Sequence, residues 1–216
     1  SEFTMLEWYQ KGADYQTLMT QCEELLGVVA GHLKELPGVC DDGLGLRYQG
    51  KTIALSPPWE RITVTEAFRR YAGVDVMAAL HQGCFDEILV RAVEPHLGQN
   101  RPTFLCDYPV ELGSLARRSP QHPAVAERFE LYVAGVEIAN GFSELADADE
   151  QRLRLQHELA MIDLGGGKGG MPEKFLAALP AMGEAAGIAL GVDRLLMLLM
   201  DATSLAAALP FLFEEL

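Results

Sequence analysis

Residues 3–9, FTMLEWY, are apolar and aromatic with Thr4 and Glu7 interposed, the composition of a strand. From Asp14, a capping residue, the period changes: Leu18, Cys22, Leu25, Leu26, Val29, Leu33 and Leu36 recur at three- and four-residue steps, predicting a helix over 15–36 that Pro37-Gly38 ends. Two β-like runs, LRYQG and KTIALS, follow within 44–64, then the Pro57-Pro58 break and ERITV. Thr65 is expected to open a helix with Glu66 in its first turn, and residues 74–96 read as helical, with Asp75 as cap and Pro95 near the end. PTFLCDYPV at 102–110 reads as a strand between prolines. RFELYVAG and VEIANGFSEL, within 124–145, form a hairpin turning at Ala134-Gly135. A polar helix capped by Asp147 covers 147–162, another helix covers 173–186, and strand 187–191 runs into a helix over 192–199. Hairpin-joined strands with helices between them predict an α+β fold with a mainly antiparallel sheet. The pattern shows no internal repeat and no boundary for a second domain.

Composition narrows the class. A chain of 216 residues, 49% hydrophobic and 22% charged, suits one soluble domain with a substantial core. It has no apolar run of membrane-spanning length and no basic n-region of a secretory signal, and it does not start with methionine, so it reads as a fragment of a longer product. Cys22, Cys40, Cys84 and Cys106 are scattered without C-x-x-C pairing, as expected of reduced cysteines in a cytoplasmic protein, and the five histidines show no metal-ligand spacing. The formal charge is −14, and Arg69-Arg70, Arg117-Arg118 and the Arg152/Arg154 pair are the basic knots. An extended nucleic-acid surface is therefore disfavoured.

Three segments set ionisable groups into strand-like sequence. Alternation puts Phe3, Met5, Glu7 and Tyr9 on one face, where a buried carboxylate would need a cation or a structural salt bridge. Glu130, Glu137, Asn140 and Glu144 lie within fifteen residues of the hairpin, beside Gly135 and Gly141. Converging carboxylates repel unless a metal, an ammonium or arginines intervene, and Mg²⁺ bridging to nucleotide phosphates suits hard oxygen ligands; solvated outward charges are the bland alternative. At 187–194, G-x-x-x-G-x-D-R brings Arg194 to a helix start within reach of a phosphate. GGGKGG at 165–170 lacks the phosphate-loop pattern and reads as a connector, and the Met and Leu stripe at 195–200 as core.

Taken in order, EFTMLEWY at 2–9, RFELYVAGVEIANGFSEL at 128–145 and GIALGVDRLLMLL at 187–199 resemble the second half of motif 2, the amino-acid and metal hairpin, and motif 3 of the class II lysyl-tRNA synthetases. The resemblance covers nearly the whole chain and is closer still to their single-domain paralogue, the elongation factor P lysyltransferase family. Ala189 and Gly113-Ser114-Leu115-Ala116 match that paralogue, whereas Arg117-Arg118 resembles the tRNA enzymes. One methyl group in a pocket wall, such as Ala189 in place of glycine, changes discrimination by about 1–3 kcal/mol.

The resemblance implies a partial class II synthetase catalytic domain over residues 1–216. It assigns Phe3 to stacking on adenine, Arg194 to the adenine's other face and the ATP phosphates, and Glu130 and Glu137 to Mg²⁺. Arg194 and Glu137 would carry the catalytic charge neutralisation. Glu7, Tyr9, Asn140, Phe142, Glu144 and Ala189 would line the amino-acid pocket, with Glu144 on the side-chain ammonium. The implied reaction is ATP-dependent activation of lysine or β-lysine to an adenylate and transfer to elongation factor P. The alternatives are a lysyl-tRNA synthetase that charges tRNA, or a truncated paralogue that binds amino acid or nucleotide without turnover. Motif 1, the family's homodimer interface, and the first motif 2 strand with its α-phosphate arginine have no counterpart here, so an open sheet edge is expected. Residues 181–186 also replace the family's G-M-P turn.

Overall fold

The back of the main sheet is buried apart from its edge strand and half of its front is not, and that asymmetry defines the site. The computed structural model describes residues 3–164 and 170–209, with side chains described to residue 160 in the helix that ends at Leu164. The connector expected at 165–170 lies outside them except for Gly170. The elements are β1 (Met5–Lys11), α1 (Tyr15–His32), β2 (Gly45–Tyr48), β3 (Lys51–Ala54), β4 (Glu60–Thr63), α2 (Val64–Ala67), α3 (Val76–His81), α4 (Phe85–Ile88), β5 (Thr103–Pro109), β6 (Val125–Val133), β7 (Val136–Ser143), α5 (Ala148–Leu164), α6 (Glu173–Met182), β8 (Ala185–Gly191), α7 (Val192–Leu199) and α8 (Leu205–Ala208). The main sheet has the order β1-β8-β7-β6-β5-β4, antiparallel except for the parallel β4–β5 pair. A separate ribbon pairs β2 with β3. The α+β class with a mainly antiparallel sheet is as expected.

On the back face, Phe129, Leu131, Ile188 and Leu190 pack with Leu18, Met19, Cys22 and Leu26 of α1 and with Leu195 and Leu198 of α7. Full burial of each such side chain is worth about 1.5–3 kcal/mol. On the front face a second cluster, with Ile62, Leu105 and Tyr132 from the sheet and Phe68, Val76 and Phe85 from the helical segment after β4, covers only the β4–β5–β6 side. Among the described residues the rest of the front is covered only in part: Asn140 and Phe142 of β7 and Ala189 of β8 are half-buried, and Glu7 and Tyr9 of β1 are exposed. Among the described residues no helix is long and apolar enough to cross a membrane.

Local chemistry sets the boundaries. Asp14, Asp75 and Asp147 cap as expected, accepting hydrogen bonds from the amides of Thr17 at 3.0 Å, Ala78 at 2.9 Å and Glu150 at 3.0 Å. Four expectations need correction. The first helix stops at His32, well before Pro37, with the Leu33 amide bonded to Val29 O. The cap of α2 is Thr63, not Thr65: its hydroxyl accepts from the Glu66 amide at 3.1 Å, giving the helix an earlier start. The expected helix over 74–96 is broken at Gly83, whose φ of +67° is left-handed, and continues as α4, a π turn at Leu89–Val93 and a 3₁₀ turn at Glu94–His96. The helix expected to run to residue 186 ends at Met182, because Ala185 and Ala186 pair with Lys11 and Gln10 as the start of β8.

Candidate active site

The hairpin turn that leads into the site uses Ala134 and Gly135, both with positive φ (54° and 79°), the geometry of a tight two-residue β-turn. Directly paired residues on neighbouring strands share a face, so the register assembles the front surface row by row. Glu7, Ala189, Asn140 and Glu130 form one row across β1, β8, β7 and β6. Tyr9, Gly187, Phe142 and Arg128 form the next. Five residues from three distant segments, Glu7, Tyr9, Asn140, Phe142 and Ala189, all expected to line one pocket, therefore stand in these two rows with Glu130.

Simple alternation from Asn140 would send Glu137 to the back. A bulge prevents it: the register slips between Leu131↔Ala139 and Tyr132↔Glu137. Ile138 and Ala139 both enter the back core, and Glu137 emerges at the front. Its carboxylate accepts from Arg194 Nη1 at 3.0 Å, and the same nitrogen donates to Glu137 O at 2.7 Å. Burial, then the charge of Glu130, raises the Glu137 carboxyl above its usual range, and Arg194 partly offsets the shift.

Arg194 opens α7. The Asp193 carboxylate accepts from the Thr4 amide at 2.8 Å, while the Val192 amide donates to Thr4 O at 3.0 Å. Those two bonds bring the chain at Phe3 to the start of α7. The Phe3 ring is 70% exposed.

The part of the surface around Glu144 is built differently. Glu144 is 9% exposed, and its Oε1 is buried without a hydrogen-bond partner among the described residues. Burial raises its carboxyl to about 7. Beside it, burial followed by the charges of Glu144 and Glu7 pushes the Tyr9 phenol up. A Cβ added at Gly187 would stand 2.5 Å from Glu144 Oε1 and 2.7 Å from the Tyr9 ring, so glycine keeps the space between them open. Glu144 also lines a cavity of about 370 Å³ with Arg117, Asp147 and Glu184.

One element differs from expectation. β1 is an edge strand with exposed residues on both faces, so Glu7 escapes the desolvation cost foreseen for a buried strand and needs no structural ion pair. It offers a solvated carboxylate at the rim instead.

Three contributors were not singled out from the sequence. Arg128 donates to Glu130 Oε1 at 2.7 Å and to Asn140 Oδ1 at 3.3 Å. Tyr132 donates from its hydroxyl to Glu130 Oε2 at 2.8 Å, and Glu94 Oε1 lies 3.1 Å from that hydroxyl. Arg-x-Glu-x-Tyr at 128–132 is itself a period-2 polar face, a readable signal. Glu94 has none, since only folding brings its turn beside β6.

No three His, Cys, Asp or Glu converge as a protein-only metal site among the described residues. Two mutually repelling carboxylates, Glu130 and Glu137, fit the smaller share of ligands that Mg²⁺ takes from protein when phosphates supply the rest. The basic knots are largely neutralised: Arg117 pairs with Glu127 (2.6 Å), Arg118 with Glu150 (3.7 Å), Arg152 with Glu173 (2.6 Å), and Arg70 with Glu60 (3.2 Å) and Glu66.

Comparison with known proteins gives a consistent answer. The family model described as tRNA synthetases class II (D, K and N) matches residues 1–214. Similar curated proteins include a lysine–tRNA ligase of Moorella thermoacetica, 39% identical over 233 residues that cover 97% of this chain and 46% of that protein. Others are the lysine–tRNA ligases of Thermosynechococcus vestitus, 38% identical with 97% and 44% coverage, and Trichormus variabilis, 36% identical with 97% and 40% coverage. The chain spans less than half the length of these relatives.

Proposed function

The chain belongs to the class II tRNA synthetases of the D, K and N group, and on that footing we propose that it activates lysine, or β-lysine, with ATP. The observation that carries this reading is the buried Glu144 oxygen beside Tyr9 and Gly187, which has no hydrogen-bond partner among the described residues. A buried carboxylate without a partner is costly, and an ammonium group of the substrate supplies the missing donor. Glu7 at the rim adds a second carboxylate, suited to a guest with two ammonium groups.

The reaction proposed is attack of the amino acid's carboxylate oxygen on the α-phosphorus of ATP. The bond to the bridging oxygen breaks, and pyrophosphate leaves with the electron pair. No protein nucleophile is needed, so the residues align and neutralise. Phe3 stacks on the base, Arg194 meets base and phosphates, and Asn140, Phe142 and Ala189 position the amino acid. Glu130 and Glu137 would hold Mg²⁺, which when bound draws charge off the phosphates.

For the acceptor we propose elongation factor P, in the cytoplasm. The net charge of −14 and the ion-paired arginines support a protein acceptor over a polyanion. Charging of tRNA is the second reading, favoured by relatives named lysine–tRNA ligase. The test is ATP–pyrophosphate exchange over a panel of amino acids, followed by transfer of labelled lysine to elongation factor P or to tRNA. Lysine-type exchange with label on the protein is expected. Exchange with no amino acid removes the enzymatic reading, and label on tRNA alone replaces the acceptor.

A further inference from the structure

We propose that Arg128 is a positioning residue that sets Asn140 and Glu130 together, tying the amino-acid end of the site to the metal end. This rests on the function proposed above and adds a residue that function does not name. The guanidinium is largely buried and held from four sides. It donates to Glu130 Oε1 at 2.7 Å, to Asn140 Oδ1 at 3.3 Å and to Leu112 O at 2.8 Å, and its Cζ lies 4.5 Å from the centre of the Tyr108 ring.

A guanidinium only donates, so Asn140 must turn its oxygen toward Arg128 and its NH₂ away. The amide end left for a ligand is therefore a donor, the polarity needed by the carboxylate of an amino acid. The same cation fixes one oxygen of Glu130 while the Tyr132 hydroxyl fixes the other at 2.8 Å. Both oxygens keep a lone pair for a metal, but the carboxylate can no longer rotate. One side chain thus decides the amide's polarity and the carboxylate's angle. Lysine in its place would keep the charge but lose the planar fork that spans two acceptors.

R128Q and R128K are the variants to make, alone and in an N140A background, with lysine-dependent exchange and the Mg²⁺ requirement measured for each. Glutamine can donate or accept, so it releases the amide's orientation. The expected result is an increase in KM for lysine of about tenfold in R128Q, the cost of one hydrogen bond to a charged group, with more Mg²⁺ needed for half-maximal rate. R128K should fail to rescue either. In the N140A background, R128Q should change KM for lysine less than about twofold, because the amide it orients is gone. A purely structural role would lower thermal stability without that dependence on Asn140. Full additivity with N140A, or wild-type behaviour of R128K, overturns the proposal and leaves lysine activation standing. A wild-type chain that exchanges with no amino acid overturns both.

Discussion

Glu144 Oε1 and the α-carbon of Gly187 face each other across a gap too small for one methyl group: a Cβ at 187 would approach that oxygen to 2.5 Å. The pairing joins the end of β7 to the start of β8, and Tyr9 of β1 closes the third side. Glycine at 187 thus lets a carboxylate and a tyrosine ring approach the backbone of β8 by what it leaves out.

G187A is expected to fill that space. Overpacking typically costs about 1–3 kcal/mol, but Tyr9 is 68% exposed and can swing aside, so most of the effect should fall on the ligand. KM for lysine should rise at least about tenfold. Thermal denaturation should show a small loss of stability beside it. A variant with unchanged lysine kinetics would mean that Glu144 and Tyr9, the groups a methyl at 187 displaces, do not border the substrate.

The pH dependence follows from the carboxyl of Glu144, which burial raises to about 7 in the folded chain from an ordinary value near 4.5. The folded state therefore binds this proton more tightly than the unfolded state. Its contribution to stability is complete below about 4.5 and is lost as pH rises through 7. Relative to wild type, E144Q should gain stability progressively from pH 5 to pH 8, measured as the difference in melting temperature. Lysine binding needs the ionised form, so wild-type affinity should increase over the same interval and level off above it. A flat profile for both quantities would contradict the assignment.

F3A should leave the fold intact, since the ring is 70% exposed. Loss of base stacking, worth about 1–3 kcal/mol, should raise KM for ATP about tenfold while KM for lysine stays unchanged. An equal loss for both substrates would point to a disturbed β1 rather than a lost stacking partner.

R194A removes the partner of Glu137 and the cation proposed for the phosphates. Adenylation should drop by on the order of 10²-fold, as for other groups that stabilise developing charge. Lysine binding measured without ATP should persist, because the Glu144 subsite does not use Arg194. Equal loss of both would merge two subsites that the sheet keeps apart.

Much of this was legible because the deciding interactions are local. Asp14, Asp75 and Asp147 each bond an amide within three residues, so their helix starts are written in adjacent sequence. The hairpin turn at Ala134-Gly135 is equally local. What escaped depends on partners far along the chain. The exposure of β1 follows from its place at the sheet edge, which alternation does not encode. The bulge at Ile138 is legible only against β6, and without it Glu137 counts to the wrong face. Ala185 and Ala186 have helix-forming side chains, yet pairing with Gln10 and Lys11 makes them strand. Of the four contacts of Arg128 only Glu130 is local; Asn140 on β7, Tyr108 in β5 and Leu112 just beyond it come within reach only on folding.

The most direct test is calorimetric titration of wild type and E144Q with lysine and with norleucine, an amino acid whose side chain is of similar length but lacks the ammonium group. Wild type should bind lysine at least about 10²-fold more tightly than norleucine, since bound norleucine would cover the Glu144 carboxylate without giving it a donor, and E144Q should narrow that preference. Norleucine binding as tightly as lysine, or a preference unchanged in E144Q, would contradict a site built around a cationic guest.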